Sequence, residues 1–532
     1  MSASAPPAPV QHPPLPAGRA LAYMAAATVI GLAQGLQQGF VTTSLPQFAG
    51  DLGVTTPTAA WLLAVYMIPR AALPVLLIKI RTQFGLRRFT EIGVAAYALV
   101  ALASLWADDF RSALVLQALA GAAAAPLSTL AFLYMLEPLS PQAKMVLGLP
   151  LAMVVLMTGP ALARVIGPSL IGDSGMAGVH LAGLGLALVS LMLVLLLPLR
   201  PMPREKVIEP LDFLSFALIG SGFAGLIVAF VMGPIHNWFD APWIGAALVA
   251  SVIALTLAIA VELNRRAPLL DIRWLASPAI LHLTGTLLVF RLILSEQSAG
   301  APRMFQVLGV GPHALTGLFA VITLAGVLGA LACIAWMRPG RVAAFHLVAL
   351  ILIAFAAFAD SGVTPDWRPA QMIVSQALIG FAGMLFMPPA MMAGLLSALT
   401  KGPQYILSFV IVFISTQSLG GVLGSGLFTT FTTHRQALHL QDLAVQLTPS
   451  DPETLHALAG RVAALAGMLP DAAARRAQAA ADLAGQASLI AWTEAYADAY
   501  ALTGWAAVIA ASALVLHLLR DRLAAKLTEK TL

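Results

Sequence analysis

Three arginines and one glutamate stand inside otherwise apolar runs of this chain, and they have the most chemistry to offer. Arg70 lies near the middle of its run, and Arg164 and Arg291 lie toward one end of theirs. A charge at mid-membrane costs roughly 2.5–3.5 kcal/mol on insertion scales, so such residues face a bundle interior or a water-filled path. With few acids beside them, the three arginines predict a cavity of positive potential. The competing reading is that each guanidinium bonds helix-end carbonyls or a nearby acid and braces the bundle. Glu296 follows Arg291 in the same run and is the acid best placed to carry a proton; otherwise it is an interfacial carboxylate that caps a loop. Gln37, Gln38 and Gln117 can hydrogen-bond a substrate in the cavity. His180, His282 and His346 are candidate proton shuttles, histidine being the side chain suited to that near neutral pH, but no two share a ligand-like spacing, so no metal site is expected. Met384, Met387, Met391 and Met392 offer either an adaptable apolar wall or core filling.

The elements that position these residues follow from composition. Hydrophobic residues make up 59% of the 532 and charged residues 10%, against about 25% charged in a soluble protein. That balance excludes an ordinary soluble enzyme, a nucleic-acid binder and a disordered chain. An α-helical span needs about 20 mostly apolar residues. Fourteen runs qualify: 20–44, 58–79, 89–107, 112–135, 145–171, 178–199, 212–234, 243–263, 278–297, 314–336, 342–359, 369–395, 404–431 and 497–519. They are too long for barrel strands. The expected fold class is an all-α polytopic membrane protein. The one cysteine, Cys333, allows no disulfide within the chain. Residues 1–18, rich in proline and without a basic start, read as a disordered tail rather than a signal peptide.

Basic residues orient the spans. Nineteen of the 29 Lys and Arg lie on the side holding both termini, seven lie on the other, and three lie within spans. Basic residues stay in cytoplasmic loops, so both termini are expected in the cytoplasm of a bacterial inner membrane. The segment 432–496 is the one long loop and falls on the periplasmic side. Pro449, Pro452 and Pro470 divide it into two or three helices. It is either a passive cap or a surface for a partner. No Walker A run and no Ser-His-Asp order stands out, so neither ATP drive nor an enzymatic activity is expected, and no cofactor.

From about residue 30 to 519 the chain resembles the fourteen-span EmrB/QacA branch of the major facilitator superfamily. The matching segments come in order. Leu45-Pro46 closes the first span, and Trp61 and Tyr66 open the second. Gly85, Arg87 and Arg88 end the basic loop motif. Gly121 and Pro126-Leu127 fit the fourth span. Gly159-Pro160-Ala161-Leu162, Gly167 and Pro168 fit the fifth-span antiporter motif, and Phe386-Met387-Pro388 fits the twelfth. The resemblance implies a major facilitator fold: two six-helix bundles (19–200 and 278–519) with two extra helices between them in 201–277, and a cytoplasmic tail at 520–532. It implies gating roles for Gly85, Arg87, Arg88, Gly159, Pro160, Gly167 and Pro168. It also implies proton-driven export of small amphipathic compounds, with a HlyD-type periplasmic adaptor and an outer-membrane channel as partners. Arg338-Pro339-Gly340-Arg341 sits where the second half repeats the basic loop of the first.

The departures are as informative. Thr82 and Gln83 replace the acid and Arg that precede Gly85 in the family. Gln117 replaces the fourth-span Arg, and Gln37 and Thr42 replace the first-span Asp and Asn. The family's usual proton and cation sites are therefore not carried over. Buried arginines without that first-span acid favour an anionic substrate. A transport-deficient sensor or scaffold that uses 432–496 to bind partners is the alternative.

Overall fold

The computed structural model describes residues 14–172, 175–201, 204–402, 404–448 and 450–531. Apart from an isolated bridge between Gly172 and Gly175, its regular elements are helices. Thirteen are long and apolar enough to cross a membrane, and a fourteenth forms if one bent pair is a single span. In chain order, spans 1–4 are Ala17–Thr43, Thr56–Phe84, Leu86–Trp106 and Phe110–Leu136. Span 5 is the bent pair Pro141–Met157 and Gly159–Leu170, and spans 6–8 are Ala177–Leu196, Pro210–Met232 and Pro242–Leu263. Spans 9–12 are Pro278–Val307, Pro312–Trp336, Pro339–Asp360 and Pro369–Lys401. Spans 13 and 14 belong to the helices Gln404–Gln446 and Ala472–Thr531. Residues 1–13 of the expected tail lie outside the described residues, and the first helix already begins at Ala17, just after Pro16.

Spans 1–6 pack chiefly on one another, and so do spans 9–14; the two bundles meet where span 5 touches spans 10 and 12 and where span 2 touches span 13. Small residues set the closest approaches, as expected where lipid supplies no hydrophobic drive between helices. Gly31, Gly35 and Gly39 repeat every fourth residue along span 1 and face Val155, Gly159 and Ala163 of span 5. A Cβ on Gly159 would stand 2.5 Å from the Gly35 Cα. Span 5 bends by 41° at Thr158, immediately before this contact. Pro160 occupies the first turn of the second half, where its missing N–H costs nothing.

Spans 7 and 8 form a hairpin that rests on span 2 and span 13. An ion-pair knot fastens it. Asp212 of span 7, fully buried, receives Lys79 Nζ of span 2 at 2.7 Å and the Arg265 guanidinium that follows span 8. Arg265 also pairs with Glu262 at 3.0 Å and Glu209 at 3.1 Å. Lys79 and Arg265, two of the basic residues that orient the spans, are thus also structural.

The largest departure from the hydropathy pattern lies at 432–496. Most of it is not a separate loop. Span 13 continues as one helix to Gln446, and the last span begins at Ala472 and runs to Thr531, taking in residues 520–531 of the expected tail. Sixty residues of helix are about 90 Å long at 1.5 Å per residue, far more than a bilayer needs. Alanine-rich sequence explains this: high helix propensity lets a span continue into water where hydropathy alone ends it. Only Pro452–Ala464 forms a separate helix, capped by the Asp451 side chain. Pro452 and Pro470 do fall at breaks, while Pro449 lies outside the described residues. The two long helices are clamped by Arg435 on Asp498 at 2.6 Å and by His439 on Asp498 at 2.7 Å and Glu494 at 3.1 Å.

Candidate functional site

Span 9 does not end near Glu296, as the apolar run suggests, but continues to Val307. Residues Glu296–Gly300 form a π-helical turn in its middle, a distortion common at functional positions. Gln297, Ser298 and Arg303 lower the hydropathy of this stretch, yet the helix continues through them, and two of them bond neighbouring spans. Gln297 Nε2 donates to the Gln376 carbonyl of span 12 at 2.8 Å, and Arg303 Nη1 donates to Thr429 Oγ1 of span 13 at 3.2 Å.

The π-turn places the Glu296 carboxyl, fully buried, against the carboxyl of Asp360, the last residue of span 11. Asp360 is 1% exposed, and it accepts hydrogen bonds from Ser375 Oγ and from Gln376 Nε2, the latter at 2.8 Å. Neither Glu296 oxygen has a well-formed hydrogen bond, although Asp360 and the Thr503 hydroxyl are within reach. No Lys or Arg pairs with either acid among the described residues. Tyr500, also buried, closes the site from span 14 and donates to Met304 Sδ at 3.4 Å. A proton on one carboxyl is the missing donor that would join the two. Glu296 therefore faces an acid and not the preceding Arg291, the neighbour the sequence suggested.

Arg291 instead points at span 13. A Cβ on Gly421 would stand 2.7 Å from its Nη2, and one on Gly420 would stand 3.0 Å from its Cβ. Its buried Nε has no partner. Arg70 of span 2, 9% exposed, donates from Nη2 to Gln34 Oε1 at 2.8 Å and from Nη1 to the Tyr66 hydroxyl at 3.3 Å. Ser128 of span 4 also donates to Gln34 Oε1, at 3.2 Å. Arg164 lies over the Phe319 ring of span 10 at 5.0 Å, a cation–π contact that joins the two bundles.

The predicted glutamines are not brought together. Gln37 lines a cavity of about 10 Å³ with Tyr97 and His180, and Gln117 lines one of about 40 Å³ with Asp51 and His180, both inside the first bundle. Gln38 touches Met67 Sδ at 4.0 Å. Gln34, passed over in the sequence, is the glutamine that meets an arginine. His346 stacks on Phe386 at 4.1 Å and His282 on His517 at 5.5 Å. Met384, Met387, Met391 and Met392 are all buried in the core around span 12.

The motif residues have local tasks. Gly85 ends span 2 at φ 88°, where a side chain is strained, and any Cβ would lie 2.7 Å from Arg204 Nε. Gln83, in place of the family's charged residue, accepts from the Ile208 N–H at 3.0 Å. Arg87 pairs with Glu91 one turn on at 2.8 Å, and Arg88 is exposed. Gly159, Pro160 and Ala163 pack on span 1, while Gly167 lies against the Phe40 ring. Pro168 sits near the end of span 5.

Sequence reasoning missed Asp360, Gln376, Gln34, Gln417 and Asp212. Asp360 and Asp212 were assigned to the edges of apolar runs, where acids are ordinary. Their burial comes from neighbouring helices that no local pattern reveals.

No protein-family model matches the chain. It is 24% identical over 448 residues to the uncharacterized MFS-type transporter YhcA of Bacillus subtilis, covering 81% of this chain and 80% of that one. It is 23% identical over 475 residues to the multidrug export protein EmrB of Haemophilus influenzae, covering 83% and 86%. Among solved structures, the POT family transporter PepTSo superposes with a TM-score of 0.55 at 13% identity, covering 94% of this chain and 99% of that one. These relatives are transporters, not enzymes.

Proposed function

We propose that this major facilitator superfamily protein, a multi-pass secondary transporter with an EmrB-like relationship, exports small amphipathic compounds in exchange for protons. One observation carries the coupling: Glu296 and Asp360 face each other, buried, with no Lys or Arg paired to them among the described residues. Two carboxylates side by side in a low-dielectric interior repel, so the pair shares a proton and titrates as a unit. With the proton bound, the carboxyls bond each other and spans 9 and 11 close together. Without it, the Ser375 and Gln376 donors steady one charge while the second carboxylate seeks water. The pair thus favours different packings in its two protonation states, and a differential of that kind is what proton coupling requires. The substrate path lies between the bundles, which rock about it.

The direction is outward across a bacterial inner membrane, with both termini cytoplasmic, as the basic residues suggest. The long helices of 432–496 then stand in the periplasm, where a HlyD-type adaptor leading to an outer-membrane channel would engage them. The test is proton movement in proteoliposomes driven by amphipathic compounds. Wild-type protein should move protons with substrate, and Glu296→Gln and Asp360→Asn should not. Undiminished proton flux in both variants would overturn the assignment.

A further inference from the structure

Arg291, half-buried, is unusual among the cations inside the spans. Among the described residues it has no ion pair or hydrogen bond, its Nε is enclosed and unpartnered, and the charge of Arg70 acts on it from the other bundle. Among the described residues no acid pairs with either guanidinium. Arg70 is held only by the neutral Gln34 and Tyr66. Span 13 is seated beside them: Ser415 Oγ donates to the Ala71 carbonyl at 3.2 Å, next to Arg70 in span 2.

The same helix carries a second unsatisfied group. Gln417 is 6% exposed, and both its Nε2 and Oε1 are buried without a partner. It lies three and four residues before Gly420 and Gly421, the residues against which Arg291 packs. Positions at that spacing are neighbours on one helix face. An amide with no partner is costly to bury, and an unpaired charge costs more. Arg291 and Gln417 thus offer donors to one region of the bundle interface. Gly420 and Gly421, with no side chains of their own, let the Arg291 side chain lie directly against span 13.

We infer that Arg291, Arg70 and Gln417 form the binding site for the anionic head of an amphipathic substrate, a carboxylate or sulfonate. This deepens the transport reading and rests on it. An anion offsets both guanidinium charges, which a neutral or cationic molecule cannot do, and its oxygens also accept the Gln417 N–H. Because the arginines come from different bundles, the bound head also bridges the two halves that must move relative to each other.

The test is equilibrium binding to the full chain in nanodiscs, with 1-pyrenebutyrate and 1-pyrenebutanol as probes and empty nanodiscs as the lipid background. The probes share a ring and chain and differ in the charged head. Wild-type protein should bind the acid more tightly than the alcohol. Arg291→Gln should weaken the acid roughly tenfold, and Gln417→Leu roughly fivefold, with the alcohol unchanged. Arg291→Lys, which keeps the charge, should recover most of the affinity. Binding is measured at equilibrium with no proton gradient and proton movement is not read, so a failure of the proton assignment is told apart from a failure of this site. Equal affinity of wild type for both probes would overturn the inference, as would normal acid binding by both Arg291→Gln and Gln417→Leu. So would parallel loss of both probes in variants whose thermal unfolding matches wild type.

Discussion

Gln376 donates a 2.8 Å hydrogen bond from Nε2 to Asp360 Oδ2, and neither residue is exposed to more than 1%. The amide fixes one carboxyl oxygen while Ser375 bonds the other, so the carboxyl that faces Glu296 has one orientation. A buried acid oriented in this way is matched to receive a proton from its neighbour and to return it.

The first prediction concerns coupling. Asp360→Asn and Glu296→Gln should abolish substrate accumulation driven by a pH gradient while leaving substrate exchange at equal pH measurable. Gln376→Leu should reduce driven transport at least roughly tenfold, because the desolvated Asp360 loses a donor. Paired assays of driven uptake and exchange in inverted vesicles check this. Equal loss of both activities would make the acids structural.

A second prediction concerns the knot at Asp212. Removing this acid leaves Lys79 and Arg265 partly buried without their shared partner. Asp212→Asn should cost about 3 kcal/mol, whereas Glu209→Gln, whose side chain is half exposed, should cost less than about 1 kcal/mol. Thermal unfolding in detergent, followed by fluorescence, measures the difference.

The span 1–span 5 seam gives a third. Gly159→Ala would place a methyl 2.5 Å from the Gly35 backbone, which cannot move aside as a side chain can. The substitution should destabilise the first bundle by roughly 1–3 kcal/mol. Gly185→Ala on span 6 meets nothing within 4 Å and should be silent. Yields of folded protein by size-exclusion chromatography separate the two.

The fourth concerns the helices beyond the membrane. Asp498 receives both Arg435 and His439 and so holds the two long helices together. Asp498→Ala should speed tryptic cleavage at Arg435 and Arg461. Cleavage by trypsin added outside spheroplasts, with none from the cytoplasmic side, would locate the segment in the periplasm. The reverse pattern would invert the proposed topology.

Much of the architecture was legible because each span carries its signal locally. A helix in lipid must satisfy its own backbone and show apolar side chains for about twenty residues. Hydropathy therefore located every span, and the Gly-Pro run marked the bend in span 5. It failed where the local signal and the environment diverge. Glu296–Val307 is too polar to look like a span, because Glu296 and Gln297 lie within the bundle while Ser298, Arg303 and Gln306 are exposed, and Ala472–Tyr496 is helical without being apolar.

The site was half legible. An isolated Arg or Glu in an apolar run announces itself, since its burial must be compensated. What compensates it is set by helices far away in sequence. Only packing brought Asp360 to Glu296, Gln34 to Arg70 and the Gly420–Gly421 face to Arg291. The sequence by itself determined which residues would be costly to bury. The tertiary structure decided their partners, because hydrogen bonds and Coulomb forces act over a few ångströms of space rather than along the chain.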